Sequence, residues 1–217
     1  MIDKGDPLFI NVHKILEQKN TDKLFKVYEL AISDRNFLKE IMDGLFSPNE
    51  TYRYNCYKVL LTLSEEAPLK LYSEWEFFHE LMLSENAYQQ MIAVSILANL
   101  TVVDSEGKFD EIFDDYFDLL DGRSLITARY VAGGAGTIAQ VKPALQESIT
   151  RRLLTSEKTH HKNNELIVHD AIDSFDAYFS EIKNQNKIFA FVKRHLKSDS
   201  PKTAKRAREF LERHSQA

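Results

Sequence analysis

The chain has 217 residues, 43% hydrophobic and 28% charged, which is enough apolar material to bury a substantial core and too much for a disordered segment. Seven glycines and five prolines are too few for an all-β protein that turns every few residues, and the single cysteine, Cys56, excludes an intrachain disulfide framework or a cysteine-rich zinc module. The net charge of −5 is unevenly spread: residues 104–121 carry eight acids against one lysine, and residues 193–214 carry eight Lys or Arg against three acids.

The amino terminus, MIDKGDPLFINVHKILEQKN, has too short an apolar run for a signal-peptide core. No segment approaches the roughly 18 apolar residues of a membrane span. The expectation is one domain over residues 1–217, in the cytoplasm and not in a membrane, and the lone cysteine suits a reducing compartment.

The first predicted helix pair, about Leu8 to Gln18 and Thr21 to Ile32, is the least regular and stands as a terminal pair over residues 8–33. Five further pairs follow over about 34–68, 73–104, 109–143, 144–181 and 186–214. Their first helices read FLKEIMDGLF, EFFHELML, EIFDDYFDLL, SITRRLL and IFAFVKRHL, and the turns SPNE, SENA, DGRS and SDSP separate most of them from their partners. In the second helices apolar residues recur at i, i+3, i+4 and i+7, which places four side chains on one helical face. The pattern reads Cys56, Val59, Leu60, Leu63; then Ala93, Ile96, Leu97, Leu100; then Ala128, Val131, Ala132, Ala135; then Val168, Ala171, Ile172, Phe175, with a weaker copy at Ala207, Phe210, Leu211. First members lie 37, 35, 40 and 39 residues apart, the period of helix-pair arrays. Pro7, Pro48 and Pro201 follow Asp6, Ser47 and Ser200 and predict helix starts behind capping side chains, whereas Pro68 and Pro143 follow apolar segments and predict helix ends.

The turn followed by a small residue in the second helix, with Arg53 three residues before Cys56 and Arg129 three before Ala132, resembles a HEAT repeat over about residues 34–214; Gln90 stands in the arginine's place in the second strong copy. The HEAT and armadillo-type resemblance implies an all-α fold, a right-handed α-α superhelix of about six helix pairs. It also implies that the second helices line a concave face. One column of that face reads Lys58, Ser95, Tyr130, Asp170 and the next Thr62, Asn99, Gly134, Ser174; with Gly133 these are the candidate partner-binding residues. Armadillo proteins that grip extended peptides are similar to one another in a ladder of asparagines there, and here only Asn99 fits, which argues against that mode.

Three glycines, Gly133, Gly134 and Gly136, fall inside one predicted helix, at a cost of roughly 1 kcal/mol each relative to alanine. Close approach of a neighbouring helix is the favoured explanation, and approach of a partner backbone at Gly133 or Gly134 the functional one. Asp110, Asp114 and Asp118, with Glu111 and Asp115 beside them, form an acidic stripe that reads as a solvated face or a contact for a basic partner. At the basic end, Lys202, Lys205 and Arg206 are candidate anion contacts, set against a solubilising role near a helix terminus.

Enzymes with HEAT-like repeats are tested in turn. Deoxyhypusine hydroxylase holds two irons with repeated His-Glu pairs, and this chain has one such pair, His79-Glu80. HEAT-like alkylpurine DNA glycosylases need aromatic residues and a carboxylate on a basic concave surface, yet the sole tryptophan, Trp75, starts an outer helix. The signatures of HEAT-like bilin lyases are too weak to decide. His160-His161, in EKTHHKN, would need a loop to bring either near His169, and Cys56 occupies a small core position that reads as an inert thiol. No catalytic residue, metal or cofactor is expected. The reading is a non-catalytic scaffold or adaptor for a protein partner, with a nucleic-acid-binding or DNA-base-repair protein as the alternative.

Overall fold

The computed structural model describes residues 7–182 and 185–214, and the side chains of the latter set and of residues 12–182. Every regular element among these residues is helical. The chain divides into two compact units, Met1–Glu76 and Phe77–Ala217, which are taken one at a time.

In the first unit α1 (Pro7–Leu16) and α2 (Leu24–Ser33) precede α3 (Arg35–Asp43), α4 (Glu50–Glu66) and the short α5 (Pro68–Tyr72). The helix starts follow from side chains that satisfy orphan N–H groups. The Asp34 carboxylate accepts from the N–H of Asn36 and Phe37, and Asn49 accepts from that of Tyr52. The start expected at Pro48 therefore falls two residues later, because the Asn49 amide oxygen and not Ser47 reaches the first turn. Pro68, expected to follow a helix end, does so after α4 and also opens α5, where its missing N–H removes no hydrogen bond. Asp6, the expected cap ahead of Pro7, lies outside the described residues. Buried Asn55 donates to the carbonyls of Leu16 and Gln18, at 2.9 and 2.8 Å, and so ends α1.

In the second unit the outer helices are α6 (Trp75–Met82), whose first two residues belong to the other unit, then α8 (Lys108–Glu111), α9 (Phe113–Asp118), α11 (Gln146–Leu153) and α13 (Gln185–Arg194). The inner helices are α7 (Ala87–Leu100), α10 (Leu125–Val141), α12 (Glu165–Tyr178) and α14 (Pro201–His214). The inner helices pack in sequence order, α7 on α10, α10 on α12 and α12 on α14. Asn86, Ser124 and Ser200 accept from the first turns of α7, α10 and α14. The segment EIFDDYFDLL is not one helix as expected: it breaks at Ile112, whose φ of −99° and ψ of 6° leave the helical range, and finishes in a 3-10 turn at Leu119–Asp121.

All sixteen side chains of the four strong core copies are buried; of the weak copy Ala207 and Phe210 are buried and Leu211 is not. The period also appears in three dimensions as polar links between residues one repeat apart. His13 meets Tyr52 and Asn55 meets Leu16, both 39 residues apart in the first unit. In the second, Thr127 bonds Ala87 across 40, Gly136 bonds Ser174 across 38 and Thr203 bonds Glu165 across 38 residues. No helix among the described residues is long and apolar enough to cross a membrane.

Candidate interaction site

The glycines of α10 set the level at which its neighbours meet it. A Cβ on Gly136 would stand 3.1 Å from Ser174 Cα and 3.2 Å from its carbonyl oxygen, so this glycine lets α12 approach to backbone contact. A Cβ on Gly134 would lie 2.8 Å from both Ala98 Cβ and the Tyr116 hydroxyl, a hydroxyl that itself donates to the buried Val94 carbonyl. Gly133 differs, since a Cβ there would meet nothing within 4 Å and the residue is exposed. The packing explanation thus holds for two of the three glycines. Gly107 alone has a positive φ among the described residues, so backbone conformation does not require Gly133 either.

This register puts Ser95, Tyr130 and Asp170 on successive inner helices of the second unit, all half-buried, with Asn99 one turn beyond Ser95. Ser95 directs its hydroxyl to the Ile92 carbonyl at 2.8 Å. Arg129 grips Asp170 with two hydrogen bonds, Nε at 2.7 Å and Nη2 at 3.3 Å. Burial pushes the Asp170 carboxyl above its ordinary range, against the pull of Arg129. The hydrogen bond to Asp170 in turn raises the guanidinium. Lys58 and Thr62 are half-buried on α4 of the first unit.

Ser174 does not belong to an open column. It is buried, and its hydroxyl lies 2.5 Å from the Ala132 carbonyl and 3.1 Å from the Gly133 carbonyl while accepting from Gly136 N–H. With an α10 surface of glycine and alanine opposite, a small hydroxyl is drawn into the seam and bonded there. Gly134 is likewise a seam residue, although partly accessible.

The charged stretches are largely spent on one another. Arg152 binds Asp114 and Asp118 at 2.6 and 2.7 Å, and Lys142 binds Asp104 and Asp110 at 2.9 and 2.5 Å. Burial alone would lower the Lys142 ammonium, yet these two carboxylates hold it above its ordinary value. At the basic end Arg206 is one of the candidate anion contacts that is not available as such: it pairs with Asp173 and, at 2.6 Å, with Asp176, and its side chain is 13% exposed. Lys202 and Lys205 are exposed, Lys205 lying 3.6 Å from Glu209. Asp176 also receives Arg213 and His214. Glu157 takes Arg194 at 2.7 Å and His195 at 3.1 Å. The sequence signal for these pairs was an acid followed by a cation about one repeat later.

Burial pushes the Cys56 thiol up to about 12, and the sulfur sits where a Cβ on Gly44 would fall, so it is a packed core group with little thiolate at neutral pH. Trp75 is buried, with its ring 5.9 Å from that of Tyr72, and offers no face to a flipped base. Among the described residues, two groups of side chains bring three potential metal-ligand atoms within 4.8 Å of one another: Asp121, His160 and His161, and His169, Asp170 and Asp173. In the second group Arg129 and Arg206 already occupy the two carboxylates.

No protein-family profile and no curated protein matches the chain. Solved structures do. A designed armadillo repeat protein is 15% identical over 93% of this chain and 98% of its own, with a TM-score of 0.56. Two engineered proteins match at 15% and 13% identity, covering 93% and 98% of this chain and 94% and 100% of theirs, with TM-scores of 0.53 and 0.55. With helix pairs, buried four-place cores and one-repeat polar links already established, the chain has an armadillo- and HEAT-like helical-repeat fold.

Proposed function

We propose that the chain is a non-catalytic scaffold or adaptor that binds a protein partner across the inner helices of the second unit, at Ser95, Asn99, Tyr130, Gly133 and Asp170. Gly133 carries the reading. It sits mid-helix on exposed backbone, where glycine costs about 1 kcal/mol relative to alanine, and neither packing nor φ requires it. A bare strip of helix beside a half-buried tyrosine lets another chain come close and gives it an aromatic anchor. The Arg129–Asp170 pair, held in place, adds charged groups that lose little entropy when engaged.

The test is affinity capture from the source cells with the wild-type chain, with Gly133→Leu, and with Tyr130 and Asp170 changed together to alanine. Leucine at Gly133 enters open space and leaves the fold intact, so partner recovery is expected to fall while the thermal transition does not. An identified partner that binds both variants as it binds wild type overturns the proposed face.

The alternative, a nucleic-acid-binding protein using the basic end, draws on exposed Lys202 and Lys205, but Arg194, Arg206 and Arg213 are engaged by carboxylates. Salt-dependent binding to duplex DNA would support that alternative, and the absence of a mobility shift at low salt would dismiss it.

A further inference from the structure

We propose that Asp121, His160 and His161 bind one divalent first-row metal ion of the zinc type, which would staple the helix pair at 109–143 to the loop within the pair at 144–181. Asp121 ends the 3-10 turn after α9, and the two histidines lie in the loop between the 3-10 turn Ser156–Lys158 and α12. The fold joins these segments across 39 residues: the Asp121 Oδ1 atom accepts from the His160 backbone N–H at 2.8 Å and lies 2.7 Å from His160 Nδ1. The two imidazole rings are 4.4 Å apart and tilted by 30°.

The observation that asks for a ligand is at His161. Its Nε2 atom is buried and has no hydrogen-bond partner, an arrangement native structures seldom leave uncompensated.

Two imidazoles and a carboxylate form a donor set suited to zinc and its neighbours, not to calcium or magnesium, which take oxygen ligands. Tetrahedral zinc with bonds of about 2.1 Å sets donors about 3.4 Å apart. The observed spread of up to 4.8 Å closes through side-chain rotation of Asp121 and His160, which are 60% and 59% exposed, with the metal ion taking the place of the proton shared by Asp121 Oδ1 and His160 Nδ1. Water would complete the coordination. The His169, Asp170 and Asp173 group fails the same examination because a metal ion would have to displace two guanidinium groups.

The full-length chain, stripped with chelator and held at pH 7.5, would be titrated with zinc chloride by calorimetry and with cobalt chloride by visible absorbance. One equivalent of zinc is expected, cobalt should show the d–d bands of a low-symmetry site, and zinc at a hundredfold excess over Kd should raise Tm by about 5 to 10 °C. Asp121→Asn should weaken binding about tenfold or more, His161→Gln should abolish the cobalt bands, and His169→Gln should leave both unchanged. If Asp121→Asn fails to fold by circular dichroism, His160→Gln takes its place in the comparison. Absence of a saturable single equivalent, or unchanged affinity in the Asp121 and His161 variants, overturns the site.

Discussion

Helix α12 is held on its two sides by different balances of packing and charge. Toward α10 the close approach is steric where Gly136 admits the Ser174 backbone and the Ser174 hydroxyl is bonded within the gap, with the single Arg129–Asp170 pair one turn away. Toward α14 a network of charges is added, with Arg206 bridging Asp173 and Asp176, Arg213 and His214 joining Asp176, and Thr203 donating to the Glu165 carbonyl at 2.8 Å. The glycine contact is insensitive to salt and pH and intolerant of added volume. The charged network tolerates volume and responds to both.

The strongest way to break this contrast is Gly136→Val. The obstructing atoms are the Ser174 backbone and the Ala177 Cβ, none of which can rotate away, so a loss of about 3 kcal/mol is expected in denaturant melts, independent of salt. A variant as stable as wild type would mean the helices separate without penalty. Next in size is Asp176→Ala, which leaves Arg206, its side chain 13% exposed, with Asp173 as its remaining close carboxylate. A loss of about 2 kcal/mol is expected, less than for a fully buried pair because Arg213 lies in solvent, and it should shrink as salt rises.

Acid should weaken the second unit in two ranges, neither of them through the glycine contact. Burial lowers His169 and His161 below their ordinary 6.5, so the unfolded chain binds more protons and stability falls as pH drops below about 6.5. Although burial raises Asp176 and Glu157, their hydrogen bonds from Arg206 and His214 and from Arg194 and His195 hold them below the ordinary 3.8 and 4.5. Their contribution is present above those values and is lost as pH falls below about 4.5. Asp170, raised by burial, works in the opposite sense over that lower range. The expected curve therefore has two descending stages, and His169→Gln should flatten the first while leaving the second, as read by thermal melts from pH 8 to pH 3. The smallest effect expected is a gain: Gly133→Ala, filling open space on the same helix as Gly136, should stabilise by about 1 kcal/mol. The pair of glycine variants thus separates seam from surface three residues apart.

Much of the scaffold could be read from the chain before any coordinate. The four-place pattern beginning at Cys56, Ala93, Ala128 and Val168 named side chains that are all buried. Errors were local ones. Asn49 displaced Ser47 as a cap because its amide oxygen reaches the N–H of Tyr52, and the outer segment after Lys108 broke at Ile112. Among site residues, Ser174 was placed on the correct helix face but not at the correct depth, since its exposure depends on the glycines of α10 and not on its own neighbours in sequence. The partners of Asn55, Arg129 and Arg152 were not legible because they lie about a repeat away.

The amino-acid sequence by itself determined that the chain forms helix pairs, which side chains enter the core, and the interval at which the unit recurs. These are consequences of helical periodicity and capping, which act within one or two turns. Only the tertiary structure decided which charges neutralise each other, that Gly134 and Gly136 serve packing while Gly133 does not, and that His160 and His161 meet Asp121. Most of those outcomes depend on a group some 30 to 40 residues distant, brought near by the packing of one helix pair on the next.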